Sequence, residues 1–118
     1  MAKAAKNLGQ ISGWQHILDL QSGLVALMTY PLITGVNWYE GMDNPDANGL
    51  VKVSGQVRWG HEFEVVGIDA EAKTVRCANS WGTGYGDRGF FTLTWADWGR
   101  LLSEQGDATV LLPLSIPA

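Results

Sequence analysis

The stretch that most restricts the fold is "WGHEFEVVGIDAEAKTVRCANSWGTGYGDRGFFTL", Trp59 to Leu93. It reads as two strands followed by a glycine-rich turn, with His61 opening the first strand and Asn79 closing the second. A hairpin turning at Asp69 to Lys73 puts His61 opposite or near Asn79. Such a hairpin commits the chain to an antiparallel sheet.

The rest of the sequence fits around that hairpin. Leu32 to Tyr39, His61 to Ile68, Thr74 to Asn79, Gly89 to Thr94 and Ala108 to Leu114 are strand-like, rich in Val, Ile, Phe, Leu and Thr and bounded by Gly, Asp or Pro. From Trp14 to Met28 apolar residues recur mostly at three and four, with Ser12 as N-cap and Pro31 as the stop, which predicts an amphipathic helix. Thr94 followed by Asp97 resembles a capping box, and Trp95, Trp98, Leu101 and Leu102 then form one helical stripe. The expected class is α+β: a small antiparallel sheet or partial barrel, with a helix before it and a short one before its last strand. With 118 residues, 46% of them hydrophobic, the chain suits one domain over residues 1–118, with 1–11 as a flexible N-terminus.

Several functions are disfavoured. Net charge is −4 and the eight Lys and Arg are scattered, so no basic stripe faces nucleic acid or a membrane surface. No apolar run approaches the ~20 residues of a membrane span, and "MAKAAKNLG" is not followed by a signal-like apolar region. A cytoplasmic protein is expected, or a virion-associated one if the source is viral. The single cysteine, Cys77, rules out an intrachain disulfide. "GYGDRG" (Gly84 to Gly89) leads into a strand rather than a phosphate-binding helix, and reads as a tight turn. "NPDANG" (Asn44 to Gly49) starts like a calcium loop but has Gly55 where a bidentate Glu belongs, so neither a metal nor another cofactor is expected.

"GHEFEVVGID" and "CANSWGTGYGDRGFFTL" resemble the His-bearing strand and the Asn-Ser-Trp-Gly box of papain-like cysteine peptidases. "LMTYPLITGVNWYEGM" (27 to 42) is similar to that family's Gly-Pro-Val strand and the aromatic turn after it, with Tyr30 where Gly is usual. The likeness runs from about Ala26 to Leu114 and covers only the family's second, barrel-like lobe. It implies that His61 descends from the base that takes a thiol's proton, that Asn79 descends from the amide orienting the imidazole, and that Trp81 shields their hydrogen bond. The family's nucleophile lies in a first lobe that has no counterpart here. Ser12 in "GQISGW" is a chance echo of that motif, and Cys77, two residues before Asn79 on one strand face, falls one step deeper, near Phe63 or Val65, as a buried inert residue. Glu62 and Glu64 depart from the small apolar residues usual at these positions, and alternation points them away from the His61 face.

The resulting expectation is a non-catalytic single-lobe relative, a structural or protein-interaction module of the kind a phage genome could encode. The alternative is half of a cysteine peptidase, completed by a cysteine-bearing partner chain. Six tryptophans are more than so small a domain can bury, so a homo-oligomer or a permanent complex is expected through the face around Trp59, His61 and Trp81.

Overall fold

The computed structural model describes residues 16–110. The elements are β1 (His16–Ile17), α1 (Leu20–Leu27), β2 (Leu32–Tyr39), a 3-10 turn (Glu40–Met42), β3 (Val57–Asp69), β4 (Thr74–Ala78), β5 (Phe90–Thr94), α2 (Trp95–Ser103) and β6 (Asp107–Val110). The strands form one sheet in the order β1-β6-β2-β3-β4-β5, antiparallel throughout. The sheet is open, and the free side of β5 is partly covered by the segment around Leu50, which bridges to Thr92.

β2 begins just after Pro31, whose missing N–H stops α1, and from there Leu32, Thr34, Val36 and Trp38 alternate inward. The β3–β4 turn is set by Asp69, whose Oδ1 accepts from the N–H groups of Glu71 at 3.1 Å and Ala72 at 2.9 Å. Lys73 closes it at a φ of 57°. The sheet's inner face presents Phe63, Val65, Val75, Cys77, Phe91 and Leu93, covered by Trp98, Leu101 and Leu102 of α2 and by Met42, Val51 and Val53. α2 is capped by Thr94, whose Oγ1 accepts from Asp97 N–H at 3.1 Å. Its far end is tied to β2 by Tyr39, whose hydroxyl donates to Glu104 Oε1 at 2.6 Å. α1 packs on α2 through Gly23, where an added Cβ would sit 2.8 Å from the Trp98 ring.

The first helix is shorter than the expected Trp14 to Met28. It starts at Leu20, capped by Asp19 accepting from Ser22 N–H at 2.9 Å, while His16–Ile17 lie extended against β6. A carboxylate one turn into the periodic stretch offers a better cap than continued helix, and extension lets Ile17 reach 2% exposure. Ser12 and Trp14 lie outside the described residues, as does the stretch after Val110 that was expected to extend the last strand to Leu114. Conversely β3 starts at Val57, four residues before His61. Its added residues pair with β2 across an irregularity between Trp38 and Tyr39.

Candidate active site

His61 lies on β3 with its side chain on the face shared by Phe63 and Val65. Pairing of Val65 with Cys77 and of Glu64 with Ala78 carries the next residue, Asn79, toward the rim where His61 stands. The Asn79 backbone is pinned there, its N–H donating to Gly89 O at 2.9 Å. His61 Nε2 and Asn79 Oδ1 are 2.8 Å apart.

The same Asn79 oxygen accepts from Ser80 N–H at 3.0 Å. That second bond identifies the atom as the acceptor, since a flipped amide would set two donors against each other. His61 therefore donates from Nε2–H, and in the neutral ring the lone pair belongs to Nδ1. Among the described residues Nδ1 has no hydrogen-bond partner. Asn79 Nδ2 is buried, with the Tyr85 phenol oxygen beside it as an acceptor.

Two indoles flank the imidazole. Trp81 lies 4.9 Å from it at 34°, and Trp38 lies 5.0 Å from it edge-on at 75°. Trp81 is 41% exposed and Trp59, 6.3 Å from it, is 45% exposed, whereas Trp38 and Trp98 are fully buried. Two open grooves adjoin the pair. One, of about 320 Å³, is lined by Val36, Asn37, Gly60, His61, Glu62, Gln105 and Asp107. The other, of about 480 Å³, runs over Ile33, Glu62, Glu64, Ala78, Asn79 and Ser80. Glu62 is exposed and Glu64 half-buried, on the face opposite Phe63 as alternation requires, and neither forms an ion pair among the described residues.

Cys77 faces Val65 across the ladder, is fully buried, and its thiol is pushed well above the usual value by that burial. It stays protonated and sealed from the grooves. The glycine-rich segment is a turn with Gly82, Gly86 and Gly89 at positive φ, from which Tyr85 reaches back to donate to Met42 O at 2.6 Å. The 44–49 loop is ordered by Asp46, whose Oδ1 accepts from Asn48 N–H at 2.8 Å and Leu50 N–H at 3.0 Å. Among the described residues no group of three or more His, Cys, Asp or Glu is placed to hold a metal, and no helix is long and apolar enough to cross a membrane.

One contact escaped sequence reading: Trp38 against His61. Strand alternation alone turns Trp38 inward. Its neighbour across the sheet depends on the β2–β3 register, Val36 facing His61 and Trp38 facing Trp59.

No protein-family model matches the sequence, and no curated protein matches it. The fold is that of papain-like cysteine proteases. Xylellain, a cysteine protease from Xylella fastidiosa, superposes with a TM-score of 0.72 at 19% identity, over 89% of this chain and 41% of its own. A cysteine protease of Carica candamarcensis in complex with E-64 gives 0.66 at 17% identity, over 89% and 50%. The bromelain protease of Ananas comosus, in complex with the E64 inhibitor, gives 0.62 at 16% identity, over 87% and 51%. The chain thus spans about half the length of these proteins, or less.

Proposed function

We propose that this chain is the base-bearing half of a papain-like thiol-hydrolase site, completed by a thiol that a second protein lobe brings to the face around Trp59, His61 and Trp81. The observation that carries this reading is the His61–Asn79 bond of 2.8 Å, which leaves Nδ1 unclaimed. A thiol placed against Nδ1 gives up its proton there, leaving a thiolate beside an imidazolium whose Nε2–H stays on Asn79. The thiolate then adds to a peptide carbonyl, and the imidazolium returns the proton to the departing amine. Trp81 keeps water from competing for the His–Asn bond.

The test is to co-express the chain with a cysteine-bearing lobe of the papain-like kind and to measure alkylation of that cysteine by iodoacetamide. At pH ~6 an isolated thiol of pKa ~8.5 is under ~1% ionised, whereas a His-paired thiol is mostly thiolate. His61→Ala should therefore slow labelling by about 100-fold. Equal, slow labelling with and without His61 would rule the reading out.

A second reading, an interaction module without chemistry, is favoured by one observation. Cys77 is the chain's single thiol and is buried, while Trp59 and Trp81 expose an apolar surface. Under it a partner, a second copy of this chain included, covers the same face and nothing depends on His61 beyond contact.

A further inference from the structure

The imidazole is held by more than Asn79. Trp38, His61 and Trp81 meet pairwise, Trp38–His61 at 5.0 Å, Trp38–Trp81 at 4.9 Å and His61–Trp81 at 4.9 Å. Trp38 is the buried member of the three, so its setting decides where the other two rings can lie. What sets it is polar. The Trp38 indole N–H donates to Asp43 Oδ1 at 2.8 Å, and Asp43 Oδ2 takes the Arg58 guanidinium Nε at 2.5 Å.

A backbone carbonyl would satisfy an indole N–H at lower cost. A carboxylate that needs its own cation is dearer to desolvate, but it makes a shorter, stronger and more directional bond. The chain is shaped to supply both ions. Asp43 comes directly after the 3-10 turn Glu40–Met42. Arg58 is free to turn toward it because the ladder slips there: Trp38 faces Trp59 and Tyr39 faces Val57, so Arg58 has no residue opposite. Such bulges re-aim side chains, often beside active sites.

We infer that Asp43, held by Arg58, is a positioning residue for His61: through the Trp38 indole it fixes the ring plane in which Nε2 meets Asn79 and Nδ1 stays unclaimed. This rests on reading His61 as a base. The charge of Asp43 is also felt elsewhere in the cluster: the Tyr85 phenol, 6.3 Å from Trp38 between centroids, is pushed well above its usual range by burial, against a hydrogen bond with Asn79 that lowers it and with a smaller push from Asp43.

The test follows the His61 Nε2–H proton by NMR in the full chain, assigned by its loss in His61→Gln. In the unsubstituted protein this proton should be protected from exchange with water. Asp43→Leu should speed its exchange about tenfold, the equivalent of losing one hydrogen bond to a charged group, and bring in the Nδ1–H form. Asp43→Asn keeps an oxygen for the indole and should restore most of the protection. Should Asp43→Leu fail to fold, Trp38→Phe, which keeps a ring but has no N–H to donate, should give the same acceleration. A folded Asp43→Leu or Trp38→Phe protein with unchanged exchange would overturn the inference, even with its melting temperature lowered. No protected Nε2–H in the unsubstituted protein would sink it together with the base assignment, whereas protection that ignores both substitutions sinks the role of Asp43 alone.

Discussion

Replacing Trp98 by alanine should cost the domain about 3–5 kcal/mol, the range seen when a fully buried Trp or Phe is truncated. Trp98 is 0% exposed, and its indole N–H donates to Thr34 Oγ1 at 3.3 Å. Its ring fills the space that the missing side chain of Gly23 leaves on α1. One side chain therefore fastens both helices to the inner face of the sheet. Against a typical total of about 5–15 kcal/mol, that loss would leave the native state marginal. Urea unfolding monitored by far-UV circular dichroism is the check; a loss below about 1 kcal/mol would show that the helices are held by something else.

Trp38→Ala should cost as much, about 3–5 kcal/mol, for a different reason. Trp38 lies between the core and the site, touching Phe63 and Phe91 on one side and His61, Trp81 and Tyr85 on the other. Its removal opens a cavity in the centre of an aromatic cluster and takes from the half-buried Asp43 carboxylate the indole N–H that it accepts. Exposed Trp59 provides the contrast, since Trp59→Ala should change the stability of the isolated chain by no more than about 0.5 kcal/mol. Parallel urea titrations of the two variants would show the difference; equal effects would contradict the assignment of Trp38 to the core and Trp59 to an open face.

These two residues also mark how far the sequence could be read. Trp98 was legible because α2 is amphipathic and short, so one stripe with Leu101 and Leu102 had a single face to bury. β2 was legible to the residue, from Leu32 to Tyr39, because Pro31 forbids helix on one side and the Glu40–Met42 turn follows on the other. The approach of His61 to Asn79 followed only in part from the turn at Asp69 to Lys73: the register that turn sets, with Ile68 opposite Val75, shifts between Val65 and Gly67, and the shift puts Cys77 opposite Val65 and brings Asn79 onto the His61 face. The beginning of β3 was not legible: Val57 to Gly60 are all exposed, so no buried face marks them as strand, and they are held extended by pairing with β2 across the slip at Tyr39. The start of α1 was misplaced because apolar periodicity continues upstream through residues whose better partner, β6, is some ninety positions away. The Asp43–Trp38 link was hidden for the same kind of reason. A surface-type Asp and a bulged Arg become an anchor only once the ladder has slipped by one residue.

The proposed role of His61 as a base requires a lone pair on Nδ1, and Asn79 Oδ1 with Ser80 N–H favours that Nε2–H form. A long-range proton–nitrogen correlation spectrum of the 15N-labelled full chain, recorded with the ring neutral, reads this tautomer directly. One dominant tautomer is expected for His61, with Nε2 protonated and Nδ1 showing the shift of an unprotonated nitrogen, and a collapse to mixed tautomers in Asn79→Ala. An Nδ1–H tautomer, or a mixture already present in the unsubstituted protein, would contradict it.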